Sequence, residues 1–299
     1  MIDDIKEKLE SNPKCNLSKK ELEVLYEING NYFNSFEEYR NLRNKYEDFS
    51  KLFGSKYIAN KVNDIDENTI CYIGNLNISV LKFLELYNLR YLYGDLECSN
   101  PCEYNLENLE IIYGSVTVTT LNGLENLDKV LHTSTLLLYS NEIKNIELPL
   151  AKFMYLYSTR YMENVAFKDG VDYIDLPEVK SIKNVIFPNS LKYLYLDMLG
   201  SLNSLKLPNS IEFLSLNSIE KFDNINLPSN LYFLSISSLK DCNGLILPNN
   251  LKRLVLNNLN CISGLEISSN LEVYVPDEGK EFGLVSNDEL IKAKVLIKQ

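Results

Sequence analysis

Residues 191–196 read LKYLYL, and stretches of the same pattern recur at 211–216 (IEFLSL), 231–236 (LYFLSI) and 251–256 (LKRLVL), at an offset of 20 residues. An apolar residue and a proline come shortly before each stretch at the same offset, and the four prolines are Pro188, Pro208, Pro228 and Pro248. Several columns that repeat in one register indicate an internal structural repeat, which decides the fold before any local pattern does.

The register continues toward the N-terminus. IGNLNI at 73–78 matches YGDLEC at 93–98 and YGSVTV at 113–118, again at an offset of 20 residues. A shorter step of 18 residues separates Leu136 from Met154. The alignment predicts about eleven repeats, with inward apolar positions at Leu76, Leu96, Val116, Leu136, Met154, Ile174, Leu194, Leu214, Leu234, Leu254 and Tyr274.

Each repeat is too short to bury its own apolar face. The LxL pattern has the period of two that is typical of a strand with one buried side. A 20-residue unit buries that side by stacking on its neighbours, which places successive strands side by side and parallel. Proline lacks the N–H of a ladder position, so the Leu-Pro pairs are expected in turns. The sequence therefore predicts an α/β solenoid with a parallel sheet of about eleven short strands.

The repeat resembles leucine-rich repeats. Over roughly residues 71–276, the spacing LPxxLxxLxLxxL is similar to short bacterial repeats of that class and to the proline-containing FNIP and BspA-like groups. The resemblance implies a leucine-rich-repeat horseshoe that acts as a protein-binding scaffold. One column departs from the standard repeat, because Leu199, Ile219, Leu239 and Leu259 occupy the position where asparagine would form a ladder.

The two ends of the chain lack the repeat. Residues 1–68 are predicted to form a helical N-terminal cap, or alternatively a docking region, since Ser18 and Glu21 fit a capping box. A second helix is expected from Ser35, with one apolar face at Tyr39, Leu42, Tyr46, Phe49 and Phe53. Residues 69–276 are assigned to the solenoid and 277–299 to a C-terminal cap, where a short helix starts at Ser286 and ends near Ile297.

The residues beside the inward positions are expected on the concave face of the horseshoe, and from Tyr139 to Phe233 they are rich in aromatic rings. A ring ladder that only stiffens the sheet is one interpretation. The other is a binding hot spot, since Tyr and Phe are rigid and bury a large area. The residues predicted to bind a partner are Tyr139, Phe153, Tyr155, Tyr157, Tyr173, Asp175, Tyr193, Tyr195, Asp197, Phe213, Phe233, Arg253, Asp95 and Glu97.

The sequence carries no recognisable catalytic constellation. His132 is the single histidine, and the nucleophile-elbow, P-loop and zinc-protease motifs are lacking. The six cysteines do not have the paired spacing of a zinc site, which favours free thiols in a cytoplasmic protein. The first residues do not resemble a secretory leader, and no apolar run is long enough to span a membrane. We therefore expect no enzyme activity, no catalytic or metal-binding residue and no cofactor.

The net charge of −11 comes without a cluster of Lys and Arg, which argues against direct nucleic-acid binding. The leading prediction is a bacterial or phage binding module whose protein partner has a basic surface. The alternative is an acidic inhibitor that occludes a basic nucleic-acid-binding enzyme, for example a phage anti-defence protein. A second alternative is a structural or surface adhesion protein. The sequence leaves the oligomeric state open.

Overall fold

The structure is a computed structural model of the 299-residue chain. It describes residues 57–77, 88–98, 108–112, 114–119, 133–202, 205–222, 226–257, 259–277, 280–293 and 296–298, with a few isolated residues before 57. The helical face predicted at 39–53 lies outside the described residues, as does most of 18–30. The chain divides into two compact units, unit 1 with residues 1–139 and 149–152, and unit 2 with residues 140–148 and 153–299.

Unit 1 contains two parallel sheets built from short strands. In chain order its strands are β1 Ile58–Ala59, β2 Cys71–Ile73, β3 Leu76–Asn77, β4 Tyr91–Tyr93, β5 Leu96–Cys98, β6 Ile111–Ile112, β7 Ser115–Val118 and β8 Thr133–Tyr139. One sheet has the order β1-β2-β4-β6 and the other runs β3-β5-β7-β8. Strand β1 and a 3-10 helix at Val62–Asp64 lie within 1–68, so parallel pairing begins inside the segment expected to form the cap.

A glycine column separates the two sheets of unit 1. Gly74, Gly94 and Gly114 each stand between a strand of the first sheet and a strand of the second. A Cβ atom on Gly94 would lie 1.9 Å from the carbonyl oxygen of Gly74, and one on Gly114 would lie 2.2 Å from that of Gly94. The stacked backbones therefore leave no space for a side chain, which explains why this residue recurs with the repeat.

Unit 2 carries the longer run of repeats. Its elements are β9 Glu142–Glu147, β10 Ala151–Tyr157, β11 Tyr161–Ala166, β12 Tyr173–Asp175, β13 Ser181–Ile186, β14 Tyr193–Tyr195, β15 Phe213–Ser215, β16 Phe233–Ser235, β17 Arg253–Val255, β18 Glu266–Ser268, β19 Glu272–Asp277, β20 Lys280–Leu284, helix α1 Asn287–Lys292 and β21 Leu296–Lys298. The main sheet of this unit has the order β10-β12-β14-β15-β16-β17-β19-β20, parallel except for the antiparallel β20. Strands β9, β11 and β13 form a second parallel sheet, and β18 pairs with β21.

The register of the main sheet confirms the predicted repeat for most of its length. Ile174, Leu194, Leu214, Leu234 and Leu254 are direct partners on successive strands, and all are fully buried. The last predicted inward position is wrong. Leu254 pairs with Val273, because the step to the last parallel strand is one residue shorter than the usual 20. Tyr274 pairs with Val255, which occupies an outward position of β17.

Three tight turns complete the repeat that contains β14. Before β14, the N–H of Leu191 donates to the carbonyl oxygen of Pro188 at 3.2 Å. After β14, the N–H of Leu199 donates to the carbonyl oxygen of Leu196 at 3.1 Å, and the N–H of Leu205 donates to that of Leu202 at 2.9 Å. Pro188 therefore lies in a turn, as predicted. Leu199 is buried at the end of its turn, so the column that replaces the expected asparagines contributes to the core.

An asparagine ladder does occur, at positions that the sequence did not single out. Asn145, Asn164 and Asn184 lie within β9, β11 and β13 and adopt left-handed φ angles of 53°, 54° and 51°. The side-chain amide of Asn164 donates to that of Asn145 at 2.8 Å, and that of Asn184 donates to that of Asn164 at 3.0 Å. Asparagine tolerates this backbone conformation better than most residues, so the ladder fixes an irregularity at the same point of each strand.

The C-terminal segment combines a helix with a strand. Helix α1 begins as predicted, since the hydroxyl of Ser286 accepts from the N–H of Glu289 and the Glu289 carboxylate accepts from the N–H of Ser286 at 2.9 Å. The predicted end near Ile297 is wrong, because the helix ends at Lys292 and Leu296–Lys298 pairs with β18. Each unit is thus built on a parallel β-solenoid pattern, which confirms the solenoid class.

Candidate functional site

The outward positions of the main sheet in unit 2 hold a set of aromatic side chains. Their neighbours Met154, Ile174 and Leu194 point into the core, so the alternating residues point away from it. Phe153 and Tyr193 expose 38% and 39% of their surface, and the other rings are partly buried against one another. We call this surface the aromatic face, and it consists of Phe153, Tyr155, Tyr157, Tyr173, Tyr193, Tyr195, Phe213 and Phe233.

One column of the aromatic face is a continuous ladder. Phe153, Tyr173, Tyr193, Phe213 and Phe233 are register partners on five successive strands. Neighbouring ring centroids lie 6.2, 6.2, 6.1 and 4.0 Å apart in that order. The first three pairs are tilted, whereas Phe213 and Phe233 stack with an interplanar angle of 3°. The sequence predicted this ladder from the 20-residue spacing alone.

A second column broadens the ladder into a patch. Tyr155 and Tyr195 lie on either side of Asp175 in the register of β10, β12 and β14. The ring of Tyr173 is 5.1 Å from that of Tyr155 and 5.3 Å from that of Tyr195, measured between centroids. Tyr195 also lies 5.1 Å from Phe213. The rings of both columns therefore form one contact network.

Asp175 is a half-buried carboxyl group in the middle of these rings. Burial, and secondarily the charge of Asp197, raises its pKa to about 6. Burial followed by the charge of Asp175 also raises the pKa of Tyr173 and that of Tyr195, although a hydrogen bond from Tyr173 partly lowers the latter. Asp197 is the charged group that affects the pKa of Asp175, and no basic side chain of the described residues does so, so within the described part of unit 2 this carboxylate has no matching cation.

Asp197 is held by a polar ladder beside the rings. Its carboxylate accepts hydrogen bonds from the hydroxyl of Ser215 and, at 2.9 Å, from the amide of Asn217. The side-chain oxygen of Asn217 in turn accepts from the hydroxyls of Ser235 at 2.7 Å and Ser237 at 2.9 Å. The sequence places Asp197 on this face together with Ser215, Asn217 and Ser235, but it did not predict that these three residues are linked to Asp197 by hydrogen bonds.

The remaining predicted residues lie at the edges of this surface or in unit 1. Arg253 ends the ring ladder, and its Nε donates to Glu272 at 3.1 Å, so its charge is matched. In unit 1, Tyr139 is exposed on β8. Asp95 accepts from the N–H of Ser115 at 2.9 Å, and Glu97 accepts from the amide of Asn77 at 2.8 Å. The two acidic residues of unit 1 therefore take part in contacts between repeats.

The described part of the chain also contains further titratable side chains and a cavity. Its His, Cys, Asp and Glu side chains include no group of three that could hold a metal ion. His132 lies outside the described residues. A cavity of about 570 Å³ lies at the second sheet, lined by residues 184–187, 189 and 206–209, with Lys206 as its one titratable side chain. The aromatic face is the surface that combines exposed apolar area with a half-buried charge.

Comparison with known proteins gives no match, since no family model, curated protein or solved structure is significantly similar to the chain. Among the residues that the structure describes, no helix has the length and apolar character needed to cross a membrane.

Proposed function

We propose that this protein is a non-catalytic binding module that recognises a protein partner through the aromatic face. The observation that carries the proposal is the contiguous set of eight partly exposed rings on one side of a sheet whose core is formed by the opposite side. Exposed apolar patches of this kind are uncommon on monomeric proteins and are typical of interaction surfaces. Tyr and Phe are also enriched among the residues that dominate binding energy.

A ladder that only stiffens the sheet is the competing interpretation. It accounts for the single column from Phe153 to Phe233, because stacked cross-strand rings stabilise a sheet. It does not account for Asp175, since placing a carboxylate among rings without a cationic neighbour costs stability. A destabilising carboxylate on this face is better explained by a ligand whose charge compensates it. The column of Tyr155, Asp175 and Tyr195 therefore supports binding.

The same proposal includes the finer features expected from the sequence. We propose that the solenoid is related to leucine-rich repeats, that the aromatic face lies on the concave side of a horseshoe, and that a helical cap occupies most of 1–68. The 20-residue spacing and the prolines at turns support the relationship. We also propose a cytoplasmic location in a bacterium or a phage-infected cell.

A second candidate function is an acidic inhibitor of a basic nucleic-acid-binding enzyme. The net charge of −11 favours it, together with an aromatic face that carries Asp175 and Asp197 while its terminal Arg253 is paired with Glu272. Both functions involve a basic protein, but they differ in what holds the complex together. Long-range attraction between charges is screened by salt, whereas ring burial is not.

Affinity capture tests the proposal. Immobilised wild-type protein is compared with a Tyr155→Ala/Tyr195→Ala variant in bacterial lysate, with Tyr161→Ala as the matched control, because Tyr161 is 46% exposed on β11 of the second sheet. We expect a protein that is retained by wild type and control, lost from the double variant, and stable in roughly 1 M salt, where charges are screened within about 3 Å.

Two results would contradict the aromatic face as the binding surface. In the first, the double variant retains every protein that the wild type retains. In the second, the captured protein is basic, is indifferent to the tyrosines and is eluted by salt, which would support the acidic inhibitor. Circular dichroism of both variants checks that the solenoid is intact.

A further inference from the structure

The second parallel sheet of unit 2 ends at β13, and its ladder of hydrogen bonds stops there. Strand β13 is the edge of this sheet, with no further strand beside it among the described residues. The N–H of Phe167 donates to the carbonyl oxygen of Ile186 at 3.2 Å. One repeat later the equivalent pair is Phe187 and Lys206, and within the described part of the chain no backbone bond joins them. Phe187 is only 6% exposed, so its N–H is a buried donor at the edge of a sheet.

The ladder stops because the next repeat replaces the strand with a turn. The N–H of Leu205 donates to the carbonyl oxygen of Leu202 at 2.9 Å, a bond that closes a tight turn. The same bond recurs between Leu245 and Cys242, also at 2.9 Å. The N–H of Leu205 is thus used inside the turn, so this part of the chain does not extend β13 sideways.

A cavity of about 570 Å³ lies at this step from strand to turn, lined by residues 184–187, 189 and 206–209. Strands lie about 4.8 Å apart, sheets about 10 Å apart, and each residue adds about 3.3 Å, so one strand residue fills on the order of 160 Å³. The cavity therefore has room for roughly three to four residues of extended chain. That length matches the stretch of four residues, 184–187, on the β13 side of the cavity.

The lining combines apolar side chains with one positive charge. Ile186 is 67% exposed and Leu207 is partly exposed. Lys206 is exposed, and the ion pairs formed among the described residues do not include it. On the two preceding strands, Lys183 of β13 pairs with Glu163 of β11, its direct neighbour across the sheet. A carboxylate beside Ile186 would be placed to pair with Lys206 in the same way.

We propose that this cavity is a groove that binds an extended, acidic segment of a protein, which adds one parallel strand to β13. The carbonyl of Ile186 faces β11, so the peptide groups of the next residue on each side face the groove. The carbonyl of the central ligand residue accepts from the N–H of Phe187, and its N–H donates to the carbonyl of Val185. Its carboxylate side chain pairs with Lys206. Strand addition of this kind takes its affinity from main-chain bonds and its specificity from side chains.

The groove goes beyond the proposed function, because it shares no residue with the aromatic face. The residue beside the buried Val185 faces inward and must be apolar, whereas the residue beside the exposed Ile186 carries the charge. A blocked Thr-Val-Glu-Val peptide has this pattern and consists of residues that favour the extended conformation on either side of its glutamate.

A titration of the ¹⁵N-labelled full chain with this peptide tests the inference. We expect a saturable shift of the Phe187 amide resonance, with a dissociation constant on the order of 1 mM for so small a ligand. Methylation of the glutamate nitrogen removes the bond to Val185 and should weaken binding roughly three- to tenfold. The Thr-Val-Lys-Val peptide should bind several-fold more weakly than the glutamate peptide.

A reversal of charge separates the groove from general electrostatics. Lys206→Glu should bind the lysine peptide several-fold more tightly than the glutamate peptide. The control Lys252→Glu, an equal change at an exposed position before β17, should keep the wild-type preference. A Phe187 resonance that does not move at roughly ten times the expected dissociation constant would overturn the inference. Binding that is indifferent to N-methylation and to Lys206→Glu would also overturn it, since the cavity would then accept a ligand other than an extended strand. The Tyr155→Ala/Tyr195→Ala variant should bind the peptide as wild type does, so failure of the groove and failure of the aromatic face are distinguishable.

Discussion

Replacing Asp175 by asparagine should make the protein more stable at neutral pH. The pKa of this carboxyl rises from 3.8 to about 6 on folding, chiefly because it is buried. An acid with a raised pKa in the folded state favours folding below its unfolded pKa, and this contribution is lost as pH rises through the folded value. Above about pH 6, the ionised Asp175 therefore destabilises the fold, and Asp175→Asn removes that penalty.

The magnitude follows from the same shift. A change from 3.8 to about 6 sets an upper limit of about 3 kcal/mol. Because the carboxyl group is only half buried, solvent screening reduces the effect to about 1 kcal/mol. We expect Asp175→Asn to raise the free energy of unfolding by about 1 kcal/mol at pH 7.5, and the gain should shrink steadily as the pH is lowered to 4.

Urea unfolding followed by circular dichroism at pH 4, 5.5 and 7.5 measures this difference. The control variant Glu147→Gln changes the net charge equally and should alter the free energy of unfolding by less than about 0.5 kcal/mol. A variant that is no more stable than wild type at pH 7.5, or a gain that does not depend on pH, would refute the reasoning. A stabilised variant that also fails to capture the protein partner would show that the carboxylate is retained for binding at a cost to the fold.

Three further substitutions test how the repeats are held together. Gly94→Ala would place a methyl group 1.9 Å from the carbonyl oxygen of Gly74, so it should lower the free energy of unfolding by about 3 kcal/mol or more. The control Gly200→Ala meets no atom within 4 Å and should change the free energy of unfolding little in the same urea experiment. Asn164→Ala should cost more than Asn164→Gly, because both lose the ladder hydrogen bonds but only alanine is strained at a φ of 54°; equal melting temperatures would contradict this. Ser286→Ala removes the capping box of α1 and should destabilise the C-terminal segment by about 1 kcal/mol, seen as faster amide exchange there.

The repeat was predictable because register is a property of spacing. Leu194, Leu214 and Leu234 recur with one offset, so their burial and the pairing of their strands could be deduced from the sequence. The ladder of aromatic rings on the outward face followed from the same 20-residue offset. The position after Leu254 was mispredicted because Val273 and Tyr274 are both apolar, and only the pairing of β17 with β19 distinguishes which of them points inward.

Features that depend on stacking between turns could not be derived in this way. The sequence does not distinguish the ladder asparagines from ordinary surface residues, because amino-acid composition does not reveal a left-handed backbone conformation. These are Asn145, Asn164 and Asn184. The role of Asp175 was also hidden, because its raised pKa arises from rings of other strands and from Asp197. The 20-residue spacing identified the surface, whereas the environment of Asp175 became visible only in the three-dimensional arrangement.

Site-specific photo-crosslinking tests the role of the aromatic face most directly. A benzoylphenylalanine is placed at Tyr193, in the ring ladder, or at Tyr161, which is similarly exposed on the second sheet. In lysate at high salt, the probe at Tyr193 should yield a single dominant crosslinked protein, and the probe at Tyr161 should yield none. A Tyr193 probe that captures nothing beyond what the Tyr161 probe captures would contradict the claim that this face binds a partner.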